Sequence, residues 1–91
     1  MLESGHEAKV RDYIVELGGM IVKVSGVRGF PDRVVITHTG RLYFLEMKQP
    51  AGRVKKYQKY IHKCLRGLKQ DVQVAYTYEE AIEQYDRICS A

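Results

Sequence analysis

Two apolar runs on either side of His38-Thr39-Gly40 do most to restrict the folds open to this chain. Residues 34–37 (VVIT) and 42–47 (LYFLEM) are rich in the β-branched and aromatic side chains of strands, and Gly40 stands where a turn most needs a positive φ. The expectation is a β-hairpin with a three-residue loop, a type I turn closed by a left-handed glycine, with Thr37 opposite Arg41. Counting back from that pair sets Asp32 opposite Glu46 on one face. A two-residue loop would set Asp32 opposite Met47 and separate the two acids. Glu46 and Lys48, two apart in a strand, project together, while Leu45 and Met47 point the other way.

The flanking segments complete a small domain. Ser4 and Glu7 match a capping box, and Glu7, Val10, Ile14 and Leu17 share one side of a helix that Gly18-Gly19 ends. Residues 20–24 (MIVKV) read as a strand leading into the turn SGVRG. After Pro50 and Gly52, the residues Val54, Tyr57, Gln58, Ile61, Cys64, Leu65 and Leu68 fall on one helix face, and Lys55, Lys56, Lys59, Lys63 and Arg66 on the other. Residues 72–76 form a further strand, and Thr77 with Glu80 starts a last helix through Ala81, Ile82, Tyr85 and Ile88. The order is αβββαβα. A three-strand meander followed by a helical crossover to a fourth predicts an α/β fold, a small mixed sheet of about four strands flanked by helices.

At 91 residues the chain reads as one domain, residues 1–91, with a single modest core. No apolar run approaches the roughly 18 residues of a membrane span. The start, MLESGHEAKV, lacks a secretory pattern, so the expected compartment is the cytoplasm. Cys64 and Cys89, each on an apolar helix face, are expected to be reduced core thiols. The net charge is +4, and between Gln49 and Gln70 there are seven Lys or Arg and no acid. Such a stretch fits either a polyanion partner or an ordinary solvated helix surface.

Two carboxylates meeting at a sheet edge repel unless a cation lies between them, and hard oxygen ligands of this kind suit Mg²⁺ or Mn²⁺. A lysine beside them can stabilise a phosphate's charge or help activate a water. These are the parts for metal-assisted phosphodiester hydrolysis. On the residues alone the bland alternative stays open: Asp32 as a turn residue after Pro31, with Glu46 and Lys48 as a surface pair of little energetic weight.

The same residues resemble a known pattern. GFPD (29–32), followed after a hairpin's length by EMK (46–48), resembles the PD…(D/E)xK motif of the restriction-endonuclease-like nucleases, whose core order is also αβββαβα. More closely, the chain resembles the virus-type replication-repair nuclease (VRR-NUC) domain through GFPDR with an apolar strand after it, the glycine-turned hairpin, LEMK, and Gln58 on the following helix. The likeness runs from Glu7 to the helix after Thr77. It implies that Asp32 and Glu46 ligate Mg²⁺ or Mn²⁺, with the backbone carbonyl of Met47 as a further ligand, and that Lys48 positions or deprotonates the attacking water. It also implies Glu7 as the helical acid that completes the site, a role in competition with capping at Ser4. Gln58 matches the family's motif glutamine. Read without the family, it is an amide on an apolar face that either finds a site partner or reaches water.

The resemblance thus implies a structure-selective DNA endonuclease that needs a divalent metal, acts on branched DNA as a Holliday-junction-resolvase-like homodimer, and uses no small-molecule cofactor and no membrane. The alternatives are a monomeric flap or nicking nuclease and a non-catalytic DNA-binding module. Arg53, Lys55, Lys56, Lys59 and Lys63 are the expected grip on the DNA backbone. Arg28 and Arg33 read equally as phosphate contacts or solvated loop residues, and Lys23 as a DNA contact or an edge lysine that discourages sheet pairing. Tyr57 and Tyr60 interleave with the lysines and read as stacking platforms for unpaired bases, although Tyr57 is more simply core. His6, His38 and His62 have no ligand-spaced partners, so neither a zinc site nor a histidine base is expected.

Overall fold

In the computed structural model, which describes residues 5–91, helix α1 (Gly5–Glu16) leads to a meander of three antiparallel strands, β1 (Met20–Lys23), β2 (Arg33–Ile36) and β3 (Leu42–Met47). Helix α2 (Lys56–Gly67) then crosses over to β4 (Val72–Ala75), which lies parallel to β3, and α3 (Tyr78–Cys89) closes the chain. The sheet order is β1-β2-β3-β4. The expected order and mixed sheet are those observed.

The hairpin follows its turn chemistry. Thr37 N–H donates to the Arg41 carbonyl at 2.7 Å and Gly40 N–H to the Thr37 carbonyl at 3.0 Å, with Gly40 at φ +90°. Arg33 therefore pairs with Leu45 and Val35 with Tyr43, and the next facing positions beyond the ladder are Asp32 and Glu46. Pleating then separates two faces. On one, Val35, Tyr43, Leu45 and Ala75 are buried against Val10 and Ile14 of α1 and Ala81, Tyr85 and Ile88 of α3. Each of these larger side chains contributes about 1.5–3 kcal/mol by leaving water.

The other face is covered unevenly. Helix α2 rests on it through a narrow stripe, Gln58, Ile61, His62 and Leu65, of which only His62 is fully buried. Hence Cys64 is exposed rather than a core thiol, Leu68 is 71% exposed, and Tyr57 lies at the stripe's margin. The expected apolar face was too wide because α2 packs only at the β3–β4 side of the sheet. Met20, Val22, Ile36 and Leu42 remain exposed on the uncovered part. Gly29, at φ +82°, lets the loop before Asp32 press on α2, since a Cβ there would lie 3.0 Å from the Tyr57 ring.

At the helix ends, Thr77 Oγ1 accepts from Glu80 N–H at 3.1 Å, as its capping role requires, while the Glu80 carboxylate reaches back to Tyr76 N–H at 2.7 Å. The capping box at Ser4 lies outside the described residues. No described helix is long and apolar enough to cross a membrane.

Candidate metal and nucleic-acid site

Asp32 enters the site from the loop that Gly29 and Pro31 hold in place. Its Oδ1 accepts from Met47 N–H at 3.2 Å, which ties the start of β2 to the end of β3. Burial raises the Asp32 carboxyl above its ordinary range, against the opposing Met47 N–H and the Arg33 charge. Glu46 is only 4% exposed. Burial first, and then the charge of Asp32, push its carboxyl up to about 7. The two acids thus sense one another in a desolvated position.

Lys48 follows Glu46 on the same face. Its Nζ lies 3.9 Å from Glu46 Oε2 and donates to Gln58 Oε1 at 3.0 Å. Gln58 Oε1 also accepts from Lys55 N–H at 2.8 Å, the backward half of a capping box at the start of α2. One amide therefore starts the helix and holds the lysine. Of the two outcomes open for Gln58, a site partner or water, the structure shows the partner, Lys48.

Arg33 departs from expectation. It alternates with Val35 and so points into the α1/α3 side of the sheet, where it is 5% exposed and cannot reach a DNA phosphate from this position. Its guanidinium lies 3.3 Å from Glu7 Oε2 and 3.3 Å from Asp32 Oδ2, and donates to the Asp32 carbonyl at 3.0 Å. Strand parity carried this signal, because a charge on a core face needs partners. Glu7 accordingly faces the site through Arg33. Arg33→Met, of similar length but uncharged, removes the guanidinium that Glu7 and Asp32 share. It is expected to cost about 3 kcal/mol in a urea-unfolding titration of the metal-free protein, and a loss below about 0.5 kcal/mol would show that the pairs carry no stability.

The fit to a divalent cation rests on the donor set. Glu46 Oε1 is buried with no hydrogen-bond partner, the Glu46 carboxyl is pushed up chiefly by burial, and Asp32 and the Met47 backbone adjoin it. A hard dication held by this carboxylate would offset its desolvation and lower both carboxyls. Among the described residues, no three His, Cys, Asp or Glu side chains are gathered for a metal, so a cation held here would need its remaining ligands from backbone, water or substrate.

Beside Lys48 opens a cleft of about 310 Å³ lined by His6, Glu7, Met47, Lys48, Arg53, Lys55 and Tyr76. Arg53 and Lys55 stand at this cleft, and Lys56, Lys59 and Lys63 are exposed on the outer side of α2. Lys55 is thus joined to Lys48 through the Gln58 amide, which accepts from both. Arg28 is exposed and its guanidinium stacks 4.5 Å from the centre of the Tyr57 ring, and Lys23 is exposed at the end of the edge strand β1.

His62 is the residue that sequence reasoning missed. Expected on a helix surface, it is 2% exposed, and its Nε2 lies 3.8 Å from Glu46 Oε1. Burial, with the charges of Arg66 and Lys48, lowers its pKa and favours the neutral ring. Its place four residues after Gln58 on the buried stripe was the available signal.

The class defined by this architecture is a small α/β domain with a four-stranded mixed sheet in the order αβββαβα. No protein-family model and no curated protein matches the chain. A solved structure described as a "VRR_NUC domain" is similar to it, with a TM-score of 0.79 and 24% identity over 89% of this chain and 90% of that one. The fold implied by GFPD and EMK is therefore the fold this chain has.

Proposed function

We propose that this chain is a divalent-metal-dependent, structure-selective DNA endonuclease. The observation that carries the reading is the buried Glu46 carboxylate, with an oxygen lacking any hydrogen bond, set against Asp32 and flanked by a lysine that Gln58 holds at 3.0 Å. Asp32, Glu46 and the Met47 carbonyl are the residues that would hold Mg²⁺ or Mn²⁺. Such an ion supplies Lewis-acid stabilisation of charge on the scissile phosphate. Lys48, anchored rather than free, orients the attacking water or takes its proton. Gln58 keeps the Lys48 stem from swinging to solvent. Glu7 joins indirectly, through Arg33 and Asp32.

Arg53, Lys55, Lys56, Lys59 and Lys63 grip phosphates, giving affinity that falls with salt and reads little sequence. With no element of this fold assigned to base readout, selectivity falls to the shape of the DNA, and branched DNA is the proposed substrate. One site cuts one strand, so symmetric cutting of a four-way junction calls for a C2 homodimer. The exposed face of Met20, Val22, Ile36 and Leu42 supports that assembly, since such patches mark interaction surfaces.

The deciding experiment incubates wild type and Asp32→Ala with four-way junction, flap and plain duplex DNA, with and without Mg²⁺ or Mn²⁺, alongside sedimentation analysis. Metal-dependent junction cleavage by a dimer, lost in Asp32→Ala, is expected. A monomer that cuts flaps and ignores junctions would remove the resolvase assignment, and a wild type that binds DNA without ever cutting would make the chain a binding module.

A further inference from the structure

We propose that His62 is a positioning residue for Glu46, holding that carboxylate from behind as Gln58 holds Lys48. The inference rests on the reading of Glu46 as a cation ligand and adds a residue to it. Gln58 and His62 are one helical turn apart on the inner stripe of α2, and Glu46 and Lys48 are two apart on β3. One turn of helix therefore meets both polar residues of the strand. Gln58 Oε1 receives Lys48 Nζ at 3.0 Å, while His62 Nε2 faces Glu46 Oε1 at 3.8 Å.

Neither of those last two atoms has any hydrogen-bond partner, although both are buried. Burying a polar atom without a partner is costly. Two such atoms facing each other in one wall of a site are an arrangement explained by a bond made in the working state. The separation exceeds an N–H···O bond by about 0.8 Å, within reach of a small carboxylate rotation. An Nε2–H donor on Oε1 leaves Oε2, the oxygen near Lys48, as the one presented to a cation. Carboxylate ligands are regularly fixed by such outer partners, whose removal weakens metal binding by about 10–100-fold.

The test uses the full chain and Mn²⁺ alone, read by the loss of the free-ion electron paramagnetic resonance signal without DNA, with thermal unfolding and DNA cleavage run in parallel. Three proteins are compared: wild type, His62→Phe, which fills the space without a donor, and His62→Gln, whose amide Nε2 reaches about as far as the imidazole Nε2. The expected result is Mn²⁺ binding weakened about 10-fold in His62→Phe and recovered to within about threefold in His62→Gln. A merely space-filling histidine would favour Phe over Gln. Equal affinity in His62→Phe and wild type overturns the proposal, and so does a His62→Gln as weak as His62→Phe. In both cases a wild type that binds Mn²⁺ and cuts DNA leaves the nuclease reading standing. A wild type that neither binds Mn²⁺ nor cuts overturns that reading, and the role of His62 with it.

Discussion

Lys48→Ala is expected to slow metal-dependent DNA cleavage by roughly 10³-fold, about 4 kcal/mol of transition-state stabilisation, while DNA affinity stays within about threefold. The Lys48 side chain is 16% exposed and its Nζ is fixed by Gln58 at 3.0 Å, so its charge is directed into the site rather than at solvent. On the proposed reading, affinity comes from elsewhere, from the exposed Arg53, Lys55, Lys56, Lys59 and Lys63. Helix α2 should keep its start in the variant, because Gln58 Oε1 retains its bond from Lys55 N–H. Single-turnover cleavage and equilibrium binding on one DNA separate the two effects. Unchanged cleavage would remove Lys48 from the chemistry, and a parallel loss of binding would reduce it to one more phosphate contact.

The second large effect concerns stability against pH. In the metal-free protein the Glu46 carboxyl is raised from its ordinary 4.5 to about 7, chiefly by burial. The folded chain therefore holds a proton between these values that the unfolded chain has lost. That contribution is complete below pH 4.5 and disappears as pH rises through about 7, a span worth about 3 kcal/mol. Glu46→Gln keeps the shape and stays neutral, so with chelator present it should unfold at a higher temperature than wild type at pH 8, by on the order of 10 °C. At pH 5 the two should nearly coincide. Adding Mn²⁺ should stabilise wild type and leave the variant unmoved. If wild type and variant respond identically to pH, Glu46 is not held in the raised state its surroundings impose.

The hairpin and its consequences were legible because they depend on local rules. HTG selects the loop, the loop selects the register, and the two-residue repeat of a strand places Glu46 with Lys48. Gln58 was legible as an amide out of place on an apolar stripe. His62 and Arg33 were less so: alternation puts Arg33 on the core face, but its partners, like the burial of His62, depend on which helix packs there. Arg33 becomes buried only because α1 brings Glu7 over that face, and His62 only because α2 lies across the end of β3 that carries Glu46.

The width of the core along α2 was likewise invisible from periodicity. A seven-position apolar face predicts broad contact, yet the helix meets the sheet on one side, leaving Cys64 and Leu68 in water. By itself the sequence determined the order αβββαβα, the hairpin register and the convergence of Asp32, Glu46 and Lys48, all set by turn chemistry and alternation within a short span. Only the tertiary structure decided which charges those residues feel: Arg33 joining Glu7 to Asp32, and Gln58 and His62 reaching down from α2. Burial and long-range pairing set the state of a carboxylate, and both depend on the packing of elements distant in the chain.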